Sequence, residues 1–431
     1  MKPSERILVW LCLVFAATGI AMLFFPWSTS ATNDVTPTLL PARTGVIPPL
    51  AVRRTPVQLT PFGGFEDAIS DDTLYFALDT SIAYSNPPTI AQLLHELRLW
   101  KDASPFPVVD GRVGRSGAWT KNVLLDDAKC AASVQFGEAF DGFLVRTRYG
   151  IRVLTAADPG MNAAFAQGHY GQLLQVMAEI GTPLNTKVID DTGMPGDLGD
   201  LLADAAARYS TKDEQEFTAV AFACWLQPGA EWMNRFGETH TMDDIAQRLA
   251  SIEIGEGTCY GGHLPYAITV ILRVNAQERI ISETAQRDLE SRLSNFTRIL
   301  TRSQRDDGAW DPDWSGVSRE PEGVMPATEE LDRITCTGHH LEWFALAPPH
   351  LRPDDAVVRK AIGALDKLLI NLPPKTEQSF KDMLPSSHAA RALCLLRGEE
   401  PFEFWLREFT ARNGEKVDIQ PNREPGKLHP Q

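Results

Sequence analysis

Two blocks of this sequence pair a thiol with imidazoles at short spacing. One is Thr258-Cys259-Tyr260-Gly261-Gly262-His263; the other is Thr335-Cys336-Thr337-Gly338-His339-His340. Thiolate and imidazole ligands spaced C-x3-H and C-x2-H on turns suit a tetrahedral Zn²⁺, with an open position if only three groups bind. Cys259, His263, Cys336 and His339 are therefore a metal-ligand set, and zinc is the cofactor it would take. Two other readings stand beside it. Cys259 and Cys336 would form a disulfide in an oxidising compartment, or the residues only pack and cap a turn.

The histidines form a wider series. Gly168-His169, Gly262-His263, Gly338-His339 and Ser387-His388 each precede a strongly apolar run. A fifth apolar run, from Phe217, has no histidine and follows Thr211-x-x-Glu214, which reads as a capping box. At a helix start the positive end of the dipole disfavours imidazolium, so these histidines are expected to be neutral. They either close a turn or ring the mouth of a cavity. His169, His263, His339, His340 and His388, with Tyr266, Glu342 and Trp343 on the following turns, are the cavity candidates; core packing is the other reading of the two aromatics.

These residues need elements to position them. The apolar starts fall near 169, 214, 263, 339 and 388, and three of the four gaps lie in the middle to high forties. Amphipathic helices are expected between them, at Leu198–Tyr209, Met242–Ser251, Ile281–Leu300, Asp355–Leu369 and Phe402–Thr410. Each unit is then a helix pair with its apolar member inside, and such pairs bury their faces only by stacking. An open solenoid and a closed (α/α) toroid both satisfy the pattern. Earlier in the chain, Ile90–Trp100 is helical in spacing and Gly142–Leu154 reads as a small hairpin.

Gln304-Arg305-Asp306-Asp307-Gly308-Ala309-Trp310 fits the QxxxGxW core of the QW repeat of squalene–hopene-type cyclases, with Ile299 where an aromatic usually stands. Together with TCYGGHLPYAITVILR, TCTGHHLEWFALAP and SSHAARAL, it resembles bacterial, planctomycete-type proteins of the terpene cyclase/prenyltransferase, squalene cyclase-like α/α-toroid class. The resemblance covers about residues 90–410. It implies a toroid in which Gln caps and Trp packs between an outer helix and the next inner one. It implies no reaction. A DxDD or DDxxD motif is lacking, Gly257 stands where prenyltransferases place a zinc-binding Asp, and Cys336 is not followed by the His-Gly of lanthionine synthetase-type cyclases.

The rest of the chain sets the context. Of 431 residues, 43% are hydrophobic and 23% charged, with a net charge of −15, which disfavours nucleic acid as a partner. Ile7–Phe25 runs without charge behind Lys2 and Arg6, and its helix would span about 28 Å against a hydrocarbon core of about 30 Å. Residues 1–31 read as a transmembrane anchor, or as a cleaved signal peptide. Either places the body outside the cytoplasm, on the periplasmic side of an inner membrane. Residues 32–64 read as a Pro-rich linker, 65–160 as a mixed α/β portion, 161–412 as the helix-pair repeats and 413–431 as a loose tail. The acidic stretch 303–335 reads as a solvated insertion. The fold class is mainly α, a toroid with a small strand-containing N-terminal portion and a transmembrane helix. Two functions fit it: a membrane-anchored module that binds a small molecule, lipid or protein in a central cavity, or a terpenoid cyclase/prenyltransferase-like or zinc-dependent enzyme working there.

Overall fold

The computed structural model describes residues 50–82, 88–104, 108–109, 112–113, 115–134, 142–161, 165–255, 257–316, 329–372 and 380–414, all within one compact unit that starts at Pro48. The expected anchor, the first part of the linker and most of the tail lie outside these residues. No described helix is long and apolar enough to cross a membrane.

The chain is mainly helical. It opens with α1 (Asp71–Thr80) and α2 (Ile90–Trp100), then a short hairpin of β1 (Val108–Val109) and β2 (Arg112–Val113). Two small helices follow, α3 (Gly117–Leu124) and α4 (Asp127–Ser133), and a hairpin of β3 (Leu144–Arg146) and β4 (Ile151–Val153), at the place the sequence suggested. Next come α5 (Gln172–Glu179), the hairpin β5 (Lys187–Ile189) with β6 (Pro195–Asp197), and α6 (Leu198–Arg208). The same order recurs in α7 (Glu216–Trp225), the hairpin β7 (Glu231–Met233) with β8 (Thr239–Thr241), and α8 (Met242–Ser251). A single turn, α9 (Thr258–Gly261), leads into α10 (His263–Glu278), α11 (Glu283–Ser303) and α12 (Glu329–Leu346). The last three helices are α13 (Asp355–Ile370), α14 (Phe380–Arg397) and α15 (Pro401–Asn413).

Strands are thus not confined to the N-terminal portion. Two hairpins sit within 161–412, the stretch expected to hold the repeats, and each feeds a helix closed by a capping box, Asp197 with Asp200 and Thr241 with Asp244. The expected capping box at Thr211 and Glu214 does not form. Helix α7 starts at Glu216 with no side-chain cap, and Glu214 turns elsewhere.

Burial sorts the helices into two kinds. In α7 every residue is buried, and in α12 every residue from Cys336 to Leu346 is buried. Helix α11 buries only Ala285, Leu289, Leu293, Phe296 and Leu300, the one-sided stripe of a surface helix. The buried kind packs in cyclic order. Helix α2 touches α5, α5 touches α7, α7 touches α10, α10 touches α12, α12 touches α14, and α14 returns to α2. The amphipathic helices lie against them, α11 on α10, α13 on α12 and α1 on α14. Between α11 and α12, Gln304 Nε2 donates to the Gly308 and Val357 carbonyls at 2.9 Å, and Trp310, fully buried, donates to Leu300 O at 2.9 Å.

Residues 50–62 are not a loose linker. A helix leaves its last carbonyls without intrahelical partners, and this strap answers several of them. Arg53 N donates to Trp225 O at 2.7 Å and Val57 N to Cys224 O at 3.0 Å. Gln58 Nε2 donates to Ala178 O and Phe62 N to Ala345 O, both at 2.8 Å. The strap crosses the C-terminal ends of α5, α7 and α12. Beneath it lies a cavity of about 450 Å³ lined by Val57, Leu59, Arg98, Glu179, Tyr266 and Arg391 among others.

Candidate functional site

The cyclic helices carry their polar side chains in two layers, one helical turn apart. The first is a belt of rings, one from each consecutive member. His169, just before α5, stacks on Phe217 of α7 with centroids 5.0 Å apart. Phe217 meets His263 of α10 at 4.4 Å, and His263 meets His339 of α12 at 4.5 Å. His339 meets His388 of α14 at 3.7 Å, and His388 meets His95 of α2 at 5.0 Å. The four predicted histidines are thereby brought together, and His95 joins them. His339 and His388 do so from mid-helix, because α12 and α14 begin about ten and eight residues before them.

The second layer lies three residues further along four of these helices, at Arg98, Tyr266, Glu342 and Arg391, on the same faces as His95, His263, His339 and His388. Arg98 contacts Glu179 at 2.8 Å and Glu342 at 3.1 Å, and Arg391 contacts the same two carboxylates at 3.0 and 3.5 Å. Two cations and two anions therefore neutralise one another inside the protein. Burial raises the cost of ionising Glu342, but the two guanidiniums and the histidines hold its carboxyl well below the usual range. Tyr266 accepts from Arg391 at 3.0 Å and lines the cavity under the strap.

Protons are unevenly spread over the belt. Burial, helped by neighbouring positive charge, pushes His95 down to about 4 and lowers His263 and His388. His339 goes the other way. Burial opposes its charge, but Cys259 and Glu342 outweigh it.

Cys259 stands at the edge of the belt. It is the one described cysteine that is not buried; Cys130, Cys224, Cys336 and Cys394 all are, and none of the five is in a disulfide. The expected Cys259–Cys336 bridge is therefore absent. The Cys259 thiol and His169 interact electrostatically, and His169 Nδ1 lies 3.0 Å from a Glu214 carboxylate oxygen. Thr258 Oγ1 donates to that same oxygen, Glu214 Oε1. Burial disfavours a thiolate here, but His169 and His339 bring the thiol down to about 7. Burial likewise opposes a proton on His169, yet Cys259 and Glu214 lift it to about 10. His169 and Glu214 are 28% and 29% exposed, so solvent reaches this end.

Comparison with protein families, curated proteins and solved structures finds no match to this chain. The site stands on its own geometry.

A metal could be held by Cys259, His263 and His339, whose ligand atoms all lie within 4.8 Å of one another. Cys336, expected in this set, is not part of it. It is buried in α12 beside Asp332, and burial pushes its thiol up. His340 also leaves the site. It packs edge-on against Trp310 and Trp314 at 5.4 and 4.8 Å, with neither nitrogen hydrogen-bonded. Trp343 is fully buried against Phe344, a core residue. Sequence reasoning missed His95, Arg98, Glu179, Glu214 and Arg391 as site residues. A signal existed for three of them: a histidine followed three residues later by Arg, Tyr or Glu recurs at 95, 263, 339 and 388.

Proposed function

We propose that the six cyclic helices form a closed (α/α) toroid and that its open end is a thiol active site for acyl transfer or hydrolysis. The carrying observation is that His169 interacts both with the Cys259 thiol and with the Glu214 carboxylate. A base that contacts both a nucleophile and an orienting carboxylate is the arrangement that activates thiols. In this reading Cys259 Sγ attacks an acyl carbonyl and forms a thioester. The leaving group departs with the proton that His169 took from the thiol. His169 then accepts a proton from water, which attacks the thioester and returns the thiol. Glu214 fixes the imidazole tautomer and carries no proton itself. The N-terminus of α10, four residues on, adds a positive field that favours the thiolate.

The interior is filled by imidazoles and ion pairs and has no cluster of aspartates among the described residues, so isoprenoid cyclisation gains no support from it. The strap-covered cavity favours a second reading, a module that binds a small ligand there. An anchor at residues 1–31 would hold either function outside the cytoplasm.

The test uses p-nitrophenyl acetate as a generic acyl donor and iodoacetamide as a thiol probe, on protein cleared of metal with a chelator. A burst of one acyl group per chain is expected, mapped by mass spectrometry to Cys259. Alkylation of Cys259 should climb through pH about 7, below the roughly 8.5 of a free thiol, and His169→Ala should shift the profile to higher pH. A Cys259 no more reactive than the buried cysteines would sink the reading.

A further inference from the structure

We infer that Cys259, His263 and His339 form a zinc site that switches the Cys259 thiol off. The ligand set stands on geometry alone; only the switching consequence rests on the thiol reading above.

His339 carries the argument. It is 1% exposed, and its Nε2 makes no hydrogen bond. A buried polar atom left unmade costs about 1–3 kcal/mol, so it marks a missing partner. The other ring nitrogen, Nδ1, faces Glu342 at 3.8 Å. A carboxylate facing one nitrogen and no hydrogen bond on the other is how a metal-ligating histidine is oriented and made more basic. Glu342 is itself fixed by Arg98 and Arg391. His263, 5% exposed, comes from the adjacent α10, and Cys259 from the turn before it.

Zinc takes sulfur at about 2.3 Å and imidazole nitrogen at about 2.0–2.1 Å, so ligand atoms within 4.8 Å of one another need only a small inward shift. One thiolate and two imidazoles is a donor set that suits zinc over the hard cations. A second group, His339, Glu342 and His388, is equally close, but Arg98 and Arg391 already occupy the Glu342 oxygens and would repel a cation.

Binding is a ligand exchange without oxidation or reduction. The thiol proton goes to solvent, and the sulfur lone pair becomes the S–Zn bond, so it is no longer free to attack a carbonyl. Zinc therefore competes with the acyl donor at the same atom.

The experiment titrates zinc alone into the metal-free full-length protein and follows iodoacetamide labelling of Cys259. Cobalt is added in parallel to detect a thiolate-to-metal charge-transfer band. The expected result is protection complete at one zinc per chain, with the band present, and both lost in His263→Ala and in His339→Gln. Thermal melts check that each variant is folded. Fast labelling that zinc leaves unchanged overturns the inference and leaves the thiol reading standing. A zinc complex with the band, on a thiol that is inert when metal-free, supports the ligand set and overturns the thiol reading instead.

Discussion

The two TCxG blocks share four residue types and fold differently. In the second, Thr335 to His340 is uninterrupted helix inside α12, and Cys336 is buried. In the first, Cys259 and Tyr260 take left-handed backbone (φ 49° and 58°), so the chain turns before α10 starts and the thiol comes to the surface of the belt. The residue before each threonine explains the difference. Gly257 stands at φ 99°, where a side chain is strained, while the equivalent position holds Ile334, a β-branched residue suited only to the straight path. Holding two non-glycine residues left-handed costs about 1–3 kcal/mol each, and such strain concentrates at functional sites. The same motif is therefore a packing element in one block and a presenting turn in the other.

The largest expected effect tests what the straight block positions. One turn past the belt, α12 places Glu342 in the charged layer where α10 places the neutral Tyr266. Glu342→Ala strands Arg98 and Arg391 without one of their two carboxylates, and removing one partner of a buried pair costs about 3–5 kcal/mol. Tyr266→Phe loses a single hydrogen bond to Arg391, worth about 0.5–1.5 kcal/mol, or somewhat more because the donor is charged. Urea denaturation of the two variants should separate them clearly. Equal losses would mean that the charged layer is not a coupled unit.

The second effect breaks the turn. In Gly257→Ala the added Cβ would run into the Glu216 carboxylate and sit at a φ that L residues avoid. A loss of about 1–3 kcal/mol is expected, together with slower labelling of Cys259 as the turn straightens. A variant that keeps wild-type stability and labelling would show that glycine is not what distinguishes the two blocks.

How much of this was legible follows from the same contrast. Apolar periodicity placed Ile90–Trp100 and Met242–Ser251 to the residue and Leu198–Tyr209, Asp355–Leu369 and Phe402–Thr410 to within a few, because those spans are decided by local burial. Aligning the two blocks residue by residue sets His263 opposite His340. The left-handed turn shifts the register, so the residue that joins the belt is His339 and His340 goes to the Trp310–Trp314 side. No local rule reveals that, since the turn depends on Gly257 clearing Glu216 on another helix. Glu214 read as a cap for a similar reason: its partners, His169 and Thr258, lie about 45 residues away on either side. His95 and Arg98 sit in a run that reads as plain core, and only the recurring His-to-polar spacing of three would have exposed them.

The smallest effect probes a hydrogen bond that ties the bent block to the straight helix. Tyr260 Oη donates to Asp332 Oδ1 at 2.7 Å, from the turn to the first part of α12. Burial raises the Asp332 pKa, and the bond from Tyr260 only partly offsets it. The folded protein then holds this proton more tightly than the unfolded chain. Between the unfolded value, about 3.9, and the raised folded value, the native state binds more protons, so stability falls as pH rises through that window and levels off above it. Asp332→Asn keeps an oxygen to accept from Tyr260 and never ionises. It should raise the melting temperature slightly at pH 7, with the gain shrinking to nothing as the pH is brought below about 4. A gain independent of pH would assign the effect to packing, and a loss at pH 7 would mean that the ionised carboxylate, favoured by the positive end of α12, is what holds the two blocks together.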